Sequence, residues 1–450
     1  MLIGINIFFI MDISELSKIN EWWSLGQVPK HLSPDRRRDL FRRIWPLMEK
    51  RQIISIVGLR RVGKSTIMYQ IVEELIRNGV KPRNILYFTF DIKGETLEDI
   101  LDTFRHELPG QDEGMKYIFL DEIQKLQDWA DRIKVLYDLR NDLKFVISGS
   151  SGMEIEGQSG KVLAGRVFTN NLKPLSFGEF LRFSYDRQPV VIKNLNDAKE
   201  AMLHKASFLE DFLQYTYSGG FVEILGEEKH IRSMYVKSAV IDNMINRDLK
   251  DLEEIKDTTL VNELLKIIAN NPGMIVNMES LGDDLGLSRQ TMSKYLGALI
   301  SAYSIKFLYS YSRNFLTSSK KGKKVYLAHP CIAEAFEGEM EEPVPGKMME
   351  NVLVYQLEGS FFFRKGNREI DIILRYRDKP IPVEVKYSKK IEERELKVIR
   401  SFVKKHDLEL GIVATRDHFE RRDRILLIPA FMIMLMEDPL VDLMRIFNEL

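Results

Sequence analysis

Apolar residues along the chain gather in short continuous runs, separated by stretches in which they recur every three or four positions. That alternation predicts a parallel sheet with crossover helices. Five runs read as buried strands: Ile53 to Val57, Ile85 to Phe90, Tyr117 to Leu120, Phe145 to Ser148 and Val167 to Leu172. Helical spacing lies between them, over Ile67 to Asn78 and Leu97 to Glu107. From about Phe177 to Leu252 the pattern is helical, broken at Tyr215 to Phe221, and predicts a lid or connector. Three more helices are predicted over Leu260 to Asn270, Met278 to Leu285 and Ser288 to Ala302. Two strands follow, Ile305 to Tyr311 and Val325 to Ala328, around a basic tip. The acidic stretch Glu337 to Pro345 marks a boundary. Beyond it a helix, Lys347 to Leu357, leads into strands Phe361 to Arg364, Glu369 to Leu374 and Ile381 to Lys386, then a helix from Glu392.

Two of the predicted strand ends carry recognisable chemistry. Gly58-Leu-Arg60-Arg61-Val-Gly63-Lys64-Ser65 has the G-x-x-x-x-G-K-[ST] spacing, and it follows an apolar strand and opens a helix. Glycines let backbone amides wrap phosphate oxygens, and the helix N-terminus adds its positive dipole end. Lys64 is expected to reach the β- and γ-phosphates of ATP, Ser65 to ligate Mg²⁺, and Thr66 to add a contact. The second strand end is Tyr117-Ile-Phe-Leu-Asp121-Glu122, which has the Walker B pattern. Asp121 is expected to hold the Mg²⁺ shell and Glu122 to orient or deprotonate the attacking water. Ser148, at the end of another strand, is assigned to sensing the γ-phosphate. Arg166 is assigned to stabilising the transferring phosphoryl group, in cis or across the subunit boundary of a homo-oligomer. An isolated arginine equally serves in a surface salt bridge.

Residues Glu279 to Leu299 read as helix, Gly-containing turn and Ser288-capped helix, a helix-turn-helix with Leu281, Leu285, Leu287, Met292, Leu296 and Leu299 inside. Arg289, Gln290, Ser293 and Lys294 remain outside, where a recognition helix would meet double-stranded DNA. Eight Lys or Arg and no Asp or Glu fall between Leu285 and Pro330. Four of them, Lys320, Lys321, Lys323 and Lys324, stand at the tip of a predicted wing, a placement that suits phosphate contacts. A winged helix also serves as a structural or protein-binding module, so a protein partner stays open. Further on, Asp371 and Glu384-Val-Lys386 sit on neighbouring predicted strands. The two-residue period puts Glu384 and Lys386 on one face, where Asp371 and Glu384 would share a divalent metal. Glu350 is a candidate further ligand.

Composition narrows the classes. With 44% hydrophobic and 29% charged residues over 450 positions, the chain reads as globular with two to four domains. Its 66 basic and 66 acidic side chains cancel, so any nucleic-acid signal has to be local. Cys331 stands alone, which excludes internal disulfides and cysteine metal clusters and agrees with a reducing, cytoplasmic setting. The apolar opening MLIGINIFFI lacks a basic leader and cleavage site; it reads as an extra strand, or as preceding a start at Met11. No run reaches transmembrane length, so no membrane association is expected.

These motifs together resemble a prokaryotic AAA-like ATPase family whose C-terminal part combines a winged helix with a restriction-endonuclease-like module. The likeness spans nearly the whole chain. It rests on GLRRVGKST at Gly58 to Thr66, FLDEIQ at Phe119 to Gln124, SGSS at Ser148 to Ser151, LAGR at Leu163 to Arg166 and PLSFGEF at Pro174 to Phe180. NRDL at Asn246 to Leu249, EN at Glu350 and Asn351, REID at Arg368 to Asp371 and EVK at Glu384 to Lys386 extend it. Ala328-His329-Pro330 departs from the family pattern, which usually has an acidic residue there. The resemblance implies an α/β chain: an AAA-like P-loop ATPase core of the additional-strand class (residues 1–180), a helical lid (181–255), a winged helix (256–335) and a nuclease-like α/β domain (346–450). The resemblance leaves the biological role unassigned; the motifs and the local basic surplus lead to the expectation of DNA-associated switch or motor activity, with a signalling or scaffolding ATPase and an ATP-gated nuclease as alternatives.

Overall fold

The computed structural model describes residues 12–92, 94–150, 152, 162–187, 190–249, 255–312, 322–336 and 345–450. Met11, Ser151, Arg313, Lys320, Lys321 and most of Glu337 to Pro345 lie outside the described residues. The chain divides into two compact units, Met1–Leu172 and Lys173–Leu450.

In the first unit, β1 (Ile53–Val57), β2 (Ile85–Thr89), β3 (Lys116–Asp121), β4 (Leu143–Gly149) and β5 (Val167–Asn171) form one sheet in the order β2-β3-β4-β1-β5. All of its pairings are parallel. Its inner strands are apolar without alternation because both faces are covered, and every residue of β1 and β4 is buried. Helix Lys64–Arg77 turns Ile67, Met68, Ile71, Val72 and Leu75 inward at three- and four-residue spacing. The edge strand β2 is shielded by the N-terminal segment. Asn20 exchanges hydrogen bonds with the Tyr87 backbone (3.0 and 2.7 Å), and the Trp22 and Trp23 indoles both donate to Ile85 O. Side chains thus satisfy backbone groups that an open edge would expose.

In the second unit, the predicted hairpin and the C-terminal strands are parts of a single nine-stranded sheet. It runs β13-β14-β12-β11-β10-β9-β7-β8-β6. The strands are β6 (Ile275–Val276), β7 (Ile305–Ser310), β8 (Lys323–Leu327), β9 (Phe361–Lys365), β10 (Arg368–Tyr376), β11 (Lys379–Lys386), β12 (Gly411–Thr415), β13 (Glu420–Arg422) and β14 (Ile425–Pro429). The join is the parallel pairing of β7 with β9, Tyr309 opposite Phe361 and Ser310 opposite Phe362. The sheet therefore runs across the boundary expected between a winged helix (256–335) and a C-terminal domain (346–450). Pro174 to Phe180 falls within this unit, which begins at Lys173. Its PLSFGEF motif acquires a physical reason: Ser176 and Glu179 form a reciprocal capping box for helix Phe177–Tyr185. Phe177, Phe180, Phe212 and Tyr215 pack into the core behind that cap.

Between Phe177 and Leu249 the described residues are largely helical, with π-type winding over Val236–Asp242 and Met244–Leu249. The break expected at Tyr215 comes later, because helix Lys205–Ser218 continues to the two glycines. Gly220 is required by crowding: a Cβ there would stand 2.4 Å from Cys331 Sγ and 3.1 Å from the His329 ring. The helix expected from Glu392 begins at Lys397.

Candidate functional site

The phosphate loop is shaped by backbone conformations that suit glycine. Gly58 has φ +148°, and a Cβ on it would lie 2.2 Å from Leu172 O. Gly63, at φ +96°, caps the helix that starts with Lys64, so that helix points its N-terminus into the loop. The Lys64 ammonium donates to Gly58 O (3.0 Å) and Leu59 O (3.2 Å), which places it over the loop. Arg38, from the basic N-terminal stretch, is buried and donates to Val62 O (2.6 Å), bracing the loop from behind. Arg61 is exposed at φ +66°, and Arg60 is partly buried.

Asp121, at the end of β3, ties the strands together. Its Oδ2 accepts from Ser65 Oγ (2.5 Å) and Tyr87 Oη (2.7 Å), and its Oδ1 accepts from Ser148 Oγ. Parallel pairing brings these ends to one edge, the C-terminal edge at which α/β sheets bind ligands. Glu122 follows with φ +51°, a conformation unusual for a non-glycine residue that swings its carboxylate off the strand direction. Gln124 Nε2 (2.6 Å) and Ser150 Oγ (3.1 Å) donate to Glu122 Oε2. Burial pushes the Glu122 carboxyl up, but the Lys64 charge, the Gln124 hydrogen bond and Arg60 outweigh it and hold it below the usual range. Glu122 is therefore an ionised acceptor at neutral pH. Tyr87, Gln124 and Ser150 were not singled out from sequence. The latter two lie inside the FLDEIQ and SGSS motifs, whereas nothing local marks Tyr87.

A family model described as an AAA domain matches residues 50–181, the span that holds this loop and both strand ends. Residues 50–181 form an AAA-like P-loop ATPase domain. Models described as domains of unknown function, DUF8612 and DUF4143, match residues 209–342 and 345–432. An uncharacterized protein of Haemophilus influenzae is 25% identical over 74% of this chain and 82% of its own length. Two uncharacterized proteins of Methanocaldococcus jannaschii are 24% and 26% identical, over 80% and 78% of this chain and the same shares of their own lengths. Among solved structures, a Walker-type ATPase of Pyrococcus abyssi aligns at 13% identity with a TM-score of 0.37, over 69% of this chain and 97% of that one.

Within the ATPase domain, Arg166 does not join the phosphate site of its own chain. Val167 pairs with Ile53 in parallel register, so Arg166 stands at the N-terminal edge of the sheet, opposite the loop at Gly58. Five residues at about 3.3 Å each separate the two edges by roughly 16 Å. Its guanidinium instead holds Asp138 (2.9 Å). The cis assignment is corrected on this ground.

Beyond the ATPase domain, the second unit holds a carboxylate cluster whose centre is a lysine. Lys324, expected at an exposed wing tip, is only 2% exposed through its side chain. Its ammonium lies 3.1 Å from Glu350 Oε1, 2.7 Å from Glu369 Oε1 and 3.4 Å from Asp371 Oδ1. Strand alternation is the cause. Lys323 faces the other side, over the Phe307 and Tyr309 rings, while Lys324 and Tyr326 face helix Pro345–Gln356. That helix carries Glu350, which accepts from Tyr326 Oη (2.6 Å), and Asn351, which pairs with both backbone groups of Leu327. Lys324 as a DNA contact is thus corrected, and the EN motif is explained as a clasp on β8. Glu369 was missed because only the joining of the β9–β10 pair to the hairpin, through β9 and β7, brings it there.

The residues present do not fit a divalent metal at this cluster. Asp371 accepts from Val385 N (2.9 Å) and faces Lys324, while Glu384 Oε1 is held by Lys386 (2.7 Å). Among the described residues, no group of three or more His, Cys, Asp or Glu is arranged to hold a metal ion. Burial and the neighbouring Asp371 push the Glu384 carboxyl up to about 8, against the pull of Lys386.

The helix-turn-helix is formed by helices Met278–Leu285 and Arg289–Ser301. Gly286 at φ +65° ends the first, and Ser288 caps the second through Thr291 N (3.1 Å). Gly282 lets the turn close, since a Cβ there would meet Leu287 O at 2.6 Å. Arg289, Gln290, Ser293 and Lys294 are exposed, with Arg289 beside Glu279 at 3.3 Å. No helix of the described residues is long and apolar enough to cross a membrane.

Proposed function

We propose that the chain is a Mg²⁺-dependent, cytoplasmic ATPase that couples nucleotide hydrolysis to engagement of double-stranded DNA through its helix-turn-helix. The observation that carries the hydrolytic part is the Asp121 carboxylate, which gathers Ser65 of the phosphate loop and Ser148 of β4 beside the ionised Glu122. Ser65 Oγ and Asp121 Oδ2, hard oxygens 2.5 Å apart, suit a Mg²⁺ shell. A bound Mg²⁺ would neutralise charge on the β- and γ-phosphate oxygens. Lys64 and the amides from Gly58 to Thr66 bind and orient the phosphates. Gln124 and Ser150 fix Glu122 Oε2, leaving Oε1 to accept a proton from, or align, the attacking water. Ser148 links Asp121 to the strand on the other side, so a change in the shell at Asp121 is felt at β4.

The DNA part is supported by the exposed row Arg289, Gln290, Ser293 and Lys294 on the second helix of the motif. Two observations favour a protein partner as the second reading: Lys324 is withdrawn from the basic surplus, and Glu279, Asp283 and Asp284 are exposed on the preceding helix.

Steady-state ATP hydrolysis with and without double-stranded DNA, with Lys64→Ala as blank, tests the proposal. Stimulation that fades with salt supports DNA coupling. A rate indifferent to DNA transfers the coupling to a protein partner, and an absence of Lys64-dependent hydrolysis sinks the ATPase reading.

A further inference from the structure

The cluster around Lys324 contains the charges a cation site needs, already balanced by protein groups. Three carboxylates, Glu350, Glu369 and Asp371, face one ammonium at 2.7 to 3.4 Å. These are hydrogen-bond distances, longer than the about 2.1 Å that Mg²⁺ or Mn²⁺ demands, and an ammonium has three donors to match three acceptors. The remaining charge is met from outside: Lys347 lies 3.1 Å from Glu350 Oε2, and Arg364 lies 3.7 Å from Glu369 Oε2. The set is electrically neutral, three cations to three anions, before any ion binds. Beside it, Glu384 is 8% exposed and its Oε2 is buried without a hydrogen-bond partner, so one acceptor still points into the protein.

We propose that Lys324 is the resident cation of this cluster: its ammonium takes the place of a cation among Glu350, Glu369 and Asp371, beside Glu384, and anchors the β7–β8 hairpin to the C-terminal strands. The cluster consequently does not take a metal in the intact chain, and phosphodiester cleavage through a metal at Asp371 and Glu384 is not available to it. The lysine and the carboxylates come from segments far apart in sequence, so the interaction also holds the nine-stranded sheet together across the β7–β9 join.

The test is Mn²⁺ binding by the nucleotide-free full-length chain in an Asp121→Asn background, which removes the carboxylate assigned to Mg²⁺ at the phosphate-loop site. Binding is followed by electron paramagnetic resonance, and melting is recorded with and without Mn²⁺. With Lys324 in place, Mn²⁺ binding should be the same whether position 371 is Asp or Asn. Lys324→Ala should lower the melting temperature by roughly 5–15 °C, the loss expected from unpairing buried carboxylates. It should also gain one equivalent of Mn²⁺ that restores part of the loss, and Lys324→Ala combined with Asp371→Asn should lose that equivalent. One equivalent of Mn²⁺ bound with Lys324 present and removed by Asp371→Asn or Glu384→Gln would overturn the proposal. So would a folded Lys324→Ala chain that gains no Mn²⁺. The comparison at position 371 requires no Lys324 variant and decides the matter even if that variant does not fold.

Discussion

His329 should make the second unit acid-sensitive by an amount that follows from its surroundings. The ring is 3% exposed, packs edge-on to Tyr215 at 4.9 Å between centroids, and faces Gly220. Its Nδ1 accepts from Cys331 N (3.2 Å), so the proton sits on Nε2, a buried atom with no hydrogen-bond partner. Protonating Nδ1 would break that bond and leave a charge in an apolar site. Burial accordingly pushes the imidazole down to about 3 from its ordinary 6.5. The unfolded chain then binds the extra proton below pH 6.5 and the folded chain does not until about pH 3, so stability falls as pH falls through this window. The loss accrues at about 1.4 kcal/mol per pH unit, or about 2 kcal/mol between pH 7.5 and 5.

His329→Asn removes the titration while its amide oxygen takes over from Nδ1. All four tryptophans lie in the first unit, so fluorescence reports on that unit alone. Opening of the second unit is read from labelling of the single, buried Cys331 by dithiodipyridine in sub-denaturing urea. The ratio of labelling rates, parent chain to His329→Asn, should rise about 30-fold between pH 7.5 and 5, since thiol reactivity cancels in the ratio. A ratio constant within about twofold would refute a buried neutral His329.

Two predictions bear on the ATPase domain. Glu122→Gln should lower turnover by about 10²–10⁴-fold while leaving ATP affinity, measured by titration calorimetry, within a few-fold. Turnover within tenfold of the parent chain would remove Glu122 from the chemistry. Arg166→Ala should leave hydrolysis by the dilute single chain unchanged and barely move the melting temperature, because its partner Asp138 is an exposed ion-pair acceptor. A large fall in dilute turnover would contradict the placement of Arg166 at the far sheet edge.

What the sequence alone determined are the features whose chemistry lies in consecutive residues. The phosphate loop is one: the Gly58, Gly63 and Lys64 spacing dictates both the positive-φ turns and the helix that opens at Lys64. The apolar run ending in Asp121 and Glu122 is another, because a strand buried on both faces and closed by two acids has few alternatives. The helix-turn-helix was legible for the same reason, through Gly286, Ser288 and helical periodicity. Tertiary structure alone decided which distant side chains meet. Asp121 meets Tyr87 and Ser148 only because three parallel strands end at one edge, whereas the same parallel order sends Arg166 to the other. Lys323 and Lys324 look alike in sequence, both basic and adjacent in a lysine-rich tip. A strand turns neighbours to opposite faces, and the pairing of β7 with β9 makes one of those faces an interior lined by Glu350, Glu369 and Asp371. Local pattern records that the two lysines differ in face; only the long-range joining of the sheet determines that one face is buried and acidic.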